Sequence, residues 1–235
     1  GASTYVAPRL EGQYTQELIL GGEYELLSDL KLGANFIRRS IPTVIEDLST
    51  DGAHVYFVAN PGEDYSAEAN ELRASVAGLA EDDPARVLAE GRAAQLDAVG
   101  GFDKPVRDYN AIQITANQRP SSRSLLQASY TYSRSKGNFP GLFSTETGQL
   151  DPNLTSMYDL ADLMANRYGA MGLDRPHNFK LDGFYQFDLK AAGGLTVGTS
   201  LRAQSGIAHN TLAGHPLYGP GESYILERGS LRRSP

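Results

Sequence analysis

The sequence predicts an all-β fold built from about six long antiparallel strands, and three observations support this prediction. Residues 177–189 alternate between apolar and polar side chains almost throughout. This period of two indicates a strand with one apolar and one wet face. Five further segments alternate in the same way. The six segments form three pairs, with a short turn inside each pair and a long connection between pairs.

The first predicted pair spans about residues 15–27 and 31–41. Ser28 and Asp29, which lie between the two segments, are typical turn residues. The second segment is expected to end near Pro42, because proline has no N–H to donate to a sheet. These residues therefore predict one antiparallel hairpin with a tight turn.

The connection after this hairpin carries a predicted helical insertion, about residues 65–99, in which helix-forming residues dominate. Asp83 followed by Pro84 predicts an N-cap with proline at the first helical position, and Gly100 would end the helix. Residues 63–97 contain nine acidic residues and three arginines, a net charge of −6. We interpret this acidic segment as the solvated surface of a loop.

The second predicted pair spans about residues 107–118 and 125–135, and the third spans about 177–190 and 194–204. The connection between these two pairs is rich in Gly, Pro, Asn and Asp, as expected of a loop. A tight turn at 191–194 closes the third pair. All three hairpins thus have their short turns at the same end.

Strand length and loop asymmetry favour a membrane location. A strand of about a dozen residues spans roughly 40 Å; soluble strands usually have about 5–6 residues, and a tilted strand crosses a bilayer with about 9–11. Short turns at one end and long loops at the other are typical of outer-membrane barrels. The sequence therefore predicts an antiparallel transmembrane β-barrel segment in a bacterial outer membrane, with long extracellular loops.

This interpretation assigns a different environment to each face of the strands. The apolar face of residues 179–189 would meet lipid, and the charged face would meet a water-filled lumen, because so many charges cannot be buried in a soluble core. The lumen-facing candidates would keep the interior wet rather than carry out chemistry. They are Glu23, Lys31, Lys180, Asp182 and Arg202.

The second long loop contains candidate binding residues of two kinds. Its aromatic residues could contact a substrate, although packing of the loop against itself explains them more simply; they are Phe139, Phe143, Tyr158 and Tyr168. Its acidic and amide residues offer oxygen ligands of the type that calcium prefers but lack the EF-hand spacing. They are Asp151, Asn153, Asp159 and Asp162.

The composition and motifs exclude several classes of function. The chain of 235 residues has a net charge of −7 and no cysteine, so neither nucleic-acid binding nor a thiolate metal site is predicted. His54, His209 and His215 lack zinc-ligand spacing. No catalytic motif is present. We therefore predict a protein that is not an enzyme and has no cofactor or metal.

The segment before the most regular strand reads Asp174-Arg175-Pro176-His177. We interpret it as an anchor for the start of the strand, in which Asp174 and Arg175 pair and Pro176 fixes the backbone on entry. A role for His177 as a ligand or gating group is the less favoured interpretation.

Several segments together resemble the C-terminal part of the barrel of Oar-like TonB-dependent outer-membrane receptors, over roughly residues 5–235. The most specific is the order of LQASYTYSRSKGNFPG (126–141) and DRPHNFKL (174–181). RRSIPTVIEDLS (38–49), QLDPN (149–153) and SYILERGSLRRSP (223–235) add to the resemblance.

The resemblance implies a barrel of about 22 strands that encloses a plug domain. It also implies import of a scarce nutrient energised through TonB, or a role in protein export as in some Oar-like members. We expect this chain to be a fragment without the plug, the TonB box and the closing strands. TonB would then act through an N-terminal part that is missing here, and the substrate stays unknown.

Two alternatives from other classes remain open at the level of sequence. A soluble β-barrel ligand-binding protein would turn the apolar face inward and bury Leu181 and Tyr185. An outer-membrane barrel hydrolase would need a Ser–His or Asp–His pair, with His177 as the first histidine to test.

The membrane interpretation makes a direct prediction about the full-length protein that carries this chain. It should sediment with outer membranes, and it should migrate differently on gels before and after heating, because a closed sheet resists detergent until it is heated. Cell fractionation and gel electrophoresis measure both properties. Recovery of all the protein in the soluble fraction without detergent would contradict the interpretation.

Overall fold

The computed structural model describes residues 4–141 and 156–233. Among these residues, the helices are too short and too polar for any of them to cross a bilayer. The elements, in chain order, are β1 (Tyr5–Val6), β2 (Tyr14–Leu27), β3 (Leu30–Thr43), β4 (Glu46–Ser49), β5 (Tyr56–Ala59), α1 (Ser66–Val76), α2 (Pro84–Val99), β6 (Arg107–Ser121), β7 (Ser124–Gly137), β8 (Gly169–Ala170), β9 (His177–Asp188), β10 (Gly194–Gln204), β11 (Leu212–His215) and β12 (Gly219–Tyr224), with short 3₁₀ turns at Ser156–Tyr158, Ala161–Met164 and Lys190–Ala192.

Six long strands form one antiparallel sheet in the order β10-β9-β7-β6-β3-β2, and β8 pairs with the end of β7. Three consecutive hairpins lie side by side in this sheet, which confirms the predicted all-β class of about six long antiparallel strands. Within the described residues the sheet is open, with β2 and β10 at its edges. The segment alone therefore does not close into a barrel.

The register shows how the alternating sequence becomes two different surfaces. Leu20 of β2 pairs with Phe36, Phe36 with Ile112, Ile112 with Tyr132, and Tyr132 with His177. Directly paired residues point to the same side of a sheet. One mainly apolar row thus runs across five strands, and rows two residues away along the strands extend it into a continuous apolar face.

The tight turns step regularly along the register. Leu30, at the end of the first hairpin, aligns through β6 and β7 with Gly183 of β9. The third hairpin continues about five residues further, to the pair Asp188–Gly194. The centres of the first and third hairpins are four strand spacings apart. Each residue adds ~3.3 Å along a strand, and neighbouring strands lie ~4.8 Å apart. If all three turns lie in one plane, these two distances mean that the strands are inclined by about 40° to the normal of that plane. Transmembrane barrels have strands tilted by about 35–45°.

The other elements form a compact unit at the loop end of the sheet, which we call the outer domain (the described residues outside the six long strands and their tight turns). Its small sheet has the order β1-β5-β4, and β11 pairs with β12. The buried apolar cluster found among the described residues lies entirely in this domain. The cluster consists of Ala7, Val44, Leu48, Phe57, Ala59, Tyr65, Ala69, Ala93, Leu96, Val99, Phe102, Phe139, Met157, Tyr158 and Leu163.

The helical insertion predicted at about residues 65–99 consists of two helices, α1 and α2. The chain leaves α1 after Val76 and starts α2 at Pro84, where the Asp83 carboxylate accepts a hydrogen bond from the Ala85 N–H at 2.8 Å. This N-cap matches the one predicted from the sequence. Arg73 of α1 forms an ion pair with Asp97 of α2, so the two helices fold back on each other.

Asn60, which follows β5, connects separate parts of the outer domain. Its amide N–H groups donate to the carbonyl oxygens of Glu11 (2.9 Å) and Val44 (2.8 Å). Its amide oxygen accepts from the Glu11 N–H (2.8 Å) and the Tyr65 hydroxyl (3.0 Å). A buried amide with all these partners fixes the chain that enters β2 against the end of β3 and the start of α1.

Candidate functional site

The five lumen-facing candidates lie on one face of the sheet. Glu23 pairs with Gly33, and the same row continues to Lys180 and Arg202. Lys31 and Asp182 lie in the next row towards the turns. We call this surface the polar face. Its other side chains are mostly amides and hydroxyls, including Asn35, Gln113, Thr115, Asn117, Gln127, Ser129, Thr131, Asn178, Ser200 and Gln204.

The charges on the polar face are partly paired. Arg202 of β10 donates two hydrogen bonds to the Asp182 carboxylate of β9, at 2.8 and 2.9 Å. Arg39 of β3 pairs with Glu17 of β2. Both pairs are partly exposed, so their net effect on stability is small. The paired charges keep the face hydrophilic without making it strongly anionic or cationic.

A cavity of about 340 Å³ lies against the outer half of the polar face. Its floor is formed by hydroxyl and amide side chains of β6, β7 and β9, together with Lys180. Residues 173–175 line it as the chain enters β9. Lys180, one of the predicted lumen residues, therefore lines the same cavity as the loop segment that precedes β9.

The contacts of this loop segment differ from those predicted. Asp174 pairs with Arg233 rather than with Arg175, and its carboxylate also accepts from the Ser135 N–H at 2.6 Å. Arg175 instead donates to the Ser205 carbonyl at 2.9 Å. The segment does anchor the start of the strand, but its partners come from β7 and from the C-terminal segment. Sequence proximity alone could not identify these distant partners.

His177 lies on the apolar side of the sheet. Its Nδ1 is 2.7 Å from the Tyr130 hydroxyl, and its ring lies 5.3 Å from that of Tyr132. Ser205 contacts the backbone of His177 and not its ring. The arrangement is therefore an aromatic cluster rather than the Ser–His pair that a hydrolase would need.

The loop aromatics occupy different environments. Phe139 and Tyr158 are buried in the core of the outer domain, whereas Tyr168 is 54% exposed. Phe143 lies outside the described residues. Phe139 and Tyr158 thus pack the loop against itself and offer no surface to a substrate, while Tyr168 remains accessible.

Asp159 lies beside Tyr158 in a buried polar cluster. Its carboxylate accepts a hydrogen bond from the Tyr218 hydroxyl at 2.7 Å. Burial, opposed in part by that hydrogen bond, raises the pKa of Asp159 to about 6. Burial likewise raises the pKa of the Tyr218 hydroxyl, and the neighbouring Asp159 adds to the effect.

The calcium alternative receives no support from the described residues. The Asp162 carboxylate lies 3.3 Å from the His215 ring, so Asp162 contacts this histidine rather than the Asp159 carboxylate. No group of three or more His, Cys, Asp or Glu side chains in the described part of the chain could hold a metal ion. Asp151 and Asn153 lie outside the described residues.

A buried arginine organises the same region, and no pattern in the sequence predicts its role. Arg167 donates to the Leu163 carbonyl (2.6 Å), the Ser156 hydroxyl (2.9 Å) and the Glu222 carbonyl (2.9 Å). The Glu222 carboxylate lies 3.9 Å from it. This network ties the 3₁₀ turns to β12 and stabilises the outer domain from within.

The apolar face of the sheet is exposed over most of its extent. Tyr24 is 70% exposed and Tyr185 is 49% exposed, while Leu181 is partly exposed. The soluble-binder alternative required Leu181 and Tyr185 to be buried, so it is not supported. An apolar surface of this size on a folded protein marks contact with lipid or with another protein.

A tilted antiparallel sheet with one apolar and one polar face, tight turns at one end and an elaborate outer domain at the other defines a segment of a membrane β-barrel. The model of the outer membrane beta barrel domain family matches residues 3–226. The chain belongs to this family, and it is located in the bacterial outer membrane.

A curated relative agrees with this assignment. The chain is 35% identical, over 232 residues, to the TonB-dependent transporter Oar of Myxococcus xanthus. The match covers 99% of the chain and 19% of that protein, so the chain spans about a fifth of the length of this relative. No solved structure shows significant similarity to the chain.

The buried Asp159 predicts a pH-dependent stability of the outer domain. Because its pKa is raised to about 6 in the fold, its stabilising contribution is complete below about pH 4 and is lost as the pH rises to about 6, by up to roughly 3 kcal/mol. Asp159→Asn keeps an acceptor for Tyr218 and should remove this part of the pH dependence. Hydrogen exchange of peptides from residues 156–164 at increasing urea concentrations measures it in the full-length protein.

The exposed Asp162 provides a matched control, since Asp162→Asn lies on the same segment and should retain the pH dependence. Equal pH profiles for the wild type and Asp159→Asn would contradict the assignment.

Proposed function

We propose that the chain forms part of the wall of an outer-membrane transporter, with its polar face lining the path of the substrate and its apolar face in contact with lipid. The outer domain then covers the extracellular mouth. The kind of transporter is supported by the similarity to the transporter Oar.

The observation that carries this proposal is the segregation of side chains across all six strands. Glu23, Lys31, Lys180, Asp182 and Arg202 share one face, and the large exposed apolar residues mostly occupy the other. A sheet in the core of a soluble protein cannot bury a wide charged face, whereas a barrel with a water-filled interior requires one. The approximately 40° inclination inferred from the turns supports the same arrangement.

The composition of the polar face indicates the class of substrate. Hydroxyl and amide groups form the floor of the 340 Å³ cavity, and Lys180 is the lysine in its lining. Such a surface exchanges hydrogen bonds readily and favours polar solutes over apolar ones. Among the loop aromatics, the exposed Tyr168 is the residue best placed to meet a substrate from outside.

We further propose that transport is energised through TonB, which would contact a part of the protein outside this chain. A plug domain inside the complete barrel would control passage. The direction follows one of two routes, import of a scarce nutrient or participation in protein export, and the polar face is compatible with either.

A pair of neighbouring cysteine substitutions tests the orientation of the sheet. The chain contains no cysteine, so Lys180→Cys and Leu181→Cys each introduce a single thiol into it, on opposite faces of β9. A membrane-impermeant charged thiol reagent should label Lys180→Cys in the purified full-length protein at least tenfold faster. A lipid-soluble maleimide should label Leu181→Cys in preference.

These reactions are followed by the mass of the intact protein, with cysteines outside this chain removed beforehand. Equal labelling of the two sites by the charged reagent would contradict an arrangement in which the polar face meets water and the apolar face meets lipid. Reversed preferences would mean that the two faces are exchanged.

Transport itself is tested in cells that lack the protein, complemented by the wild type or by Lys180→Glu. If the protein imports a solute, wild-type complementation should restore depletion of a polar nutrient from the medium, and collapse of the proton gradient should abolish it. If it exports protein, the change should appear among secreted proteins. Lys180→Glu should alter the flux because it places a second acid beside Asp182.

Lys190→Glu, on the exposed 3₁₀ turn and outside the cavity lining, is the matched control and should leave the flux unchanged. Identical media and secretomes with and without the protein would contradict a transport function.

A further inference from the structure

Two arginines lie on the apolar side of the sheet, just beyond the outer end of the apolar band. Arg38 of β3 pairs with Asn110 of β6, and Asn110 pairs with Arg134 of β7. The next row towards the turns contains Phe36, Ile112 and Tyr132. Arg38 and Arg134 are both exposed. We call this pair of arginines the basic rim.

The geometry of the rim suits one anionic group. The two arginines are separated by a single intervening strand, which places their Cα atoms about 10 Å apart. Arg134 donates from Nε to the Tyr132 hydroxyl at 3.1 Å, and its guanidinium carbon lies 5.9 Å from the centre of the Tyr132 ring. Tyrosine prefers the boundary between hydrocarbon and water. These contacts hold one guanidinium group at the level of that boundary.

The rim has no carboxylate partner of its own within the described chain, although Asp174, which pairs with Arg233, attracts Arg134 without forming an ion pair with it. Neither Arg38 nor Arg134 forms an ion pair among the described residues. Arg39, the neighbour of Arg38 on the polar face, does pair with Glu17. One row further out, Lys136 and Asp108 lie opposite each other, so that row carries no net charge.

A guanidinium group at the edge of a bilayer is stabilised when an anion meets it there. Arginine side chains near the ends of membrane segments extend towards the headgroups. The planar guanidinium group matches the geometry of phosphate and binds it with two parallel hydrogen bonds. The apolar band directly below the rim would accommodate the acyl chains of the same molecule.

We propose that Arg38 and Arg134 bind the phosphate of a phosphorylated lipid headgroup in the outer leaflet, whose acyl chains run over the row of Phe36, Ile112 and Tyr132. This inference rests on the proposed orientation of the sheet but does not depend on the transported substrate. The rim is thus a lipid site on the outside of the barrel, separate from the cavity on its inside.

Retention of a defined lipid by the full-length protein tests the proposal. The protein is purified in detergent, mixed with diphosphorylated lipid A or with its dephosphorylated form, and examined by native mass spectrometry. The wild type should retain the diphosphorylated lipid preferentially. Combined Arg38→Gln and Arg134→Gln should lower this retention on the order of tenfold. Arg39→Gln, next to Arg38 on the other face, should leave it unchanged.

Charge-preserving Arg38→Lys with Arg134→Lys should keep most of the retention, and heat-modifiable migration verifies that each variant is folded. If the double glutamine variant does not fold, the same comparison is made with Arg38→Gln and Arg134→Gln singly. Three results would overturn the proposal: equal retention by the glutamine variants, equal retention of the dephosphorylated lipid, or displacement of the lipid by millimolar inorganic phosphate.

The control also separates this inference from the proposed function. Loss of retention in Arg39→Gln, but not in the Arg38 and Arg134 variants, would mean that the faces are inverted and would overturn the orientation as well. If the cysteine labelling has the expected pattern and the glutamine variants still retain the lipid, only the lipid site is refuted.

Discussion

The requirement that every backbone N–H and C=O find a partner away from water governs this structure. Hydrocarbon supplies no hydrogen bonds, so a chain that crosses it as strands must pair each strand with its neighbours. The register of β3, β6 and β7 is unbroken from Leu30 to Ser40 on β3, along with their partners. The register shifts of the long sheet lie near strand ends, between Tyr14 and Gln16 and between Glu25 and Leu27 in β2, and between Gln118 and Ser121 beside a tight turn.

Continuous pairing has a consequence for the side chains. Because residues in register point to the same side, six separately alternating sequences combine into two extended faces. A slip of one residue in the register would exchange the residues of the apolar face and the polar face. The Asp182–Arg202 pair and the Arg39–Glu17 pair, both across neighbouring strands of the polar face, favour the observed register over a slip by one residue. The charged residues therefore contribute to the specificity of strand pairing as well as to the polarity of this face.

The sequence predicted those parts of the molecule that follow from local pattern. Alternation identified the long strands, turn residues identified the hairpins, and Asp83 with Pro84 identified the start of α2. The end of α1 after Val76 was not predicted, because composition alone does not reveal where a helix stops. The sequence did not predict the roles of Asn60, Arg167 or the Asp174–Arg233 pair, because their partners lie far away in sequence. The predicted pairing of Asp174 with its neighbour Arg175 was wrong, because Asp174 has such a distant partner.

The sheet and the outer domain are stabilised by different forces, which explains why they differ so much in sequence. The strands have few buried side chains and rely on backbone pairing and on lipid, so most of their positions need only the right polarity. The outer domain must bury its own core in water, and this requires a particular shape at Phe57, Leu96 and Tyr158. Where the two meet, the Asp174 carboxylate accepts from the Ser135 N–H of β7. The position of the cavity lining at residues 173–175 is thus set by the backbone of a membrane strand, and the outer domain keeps a fixed relation to the polar face beneath it.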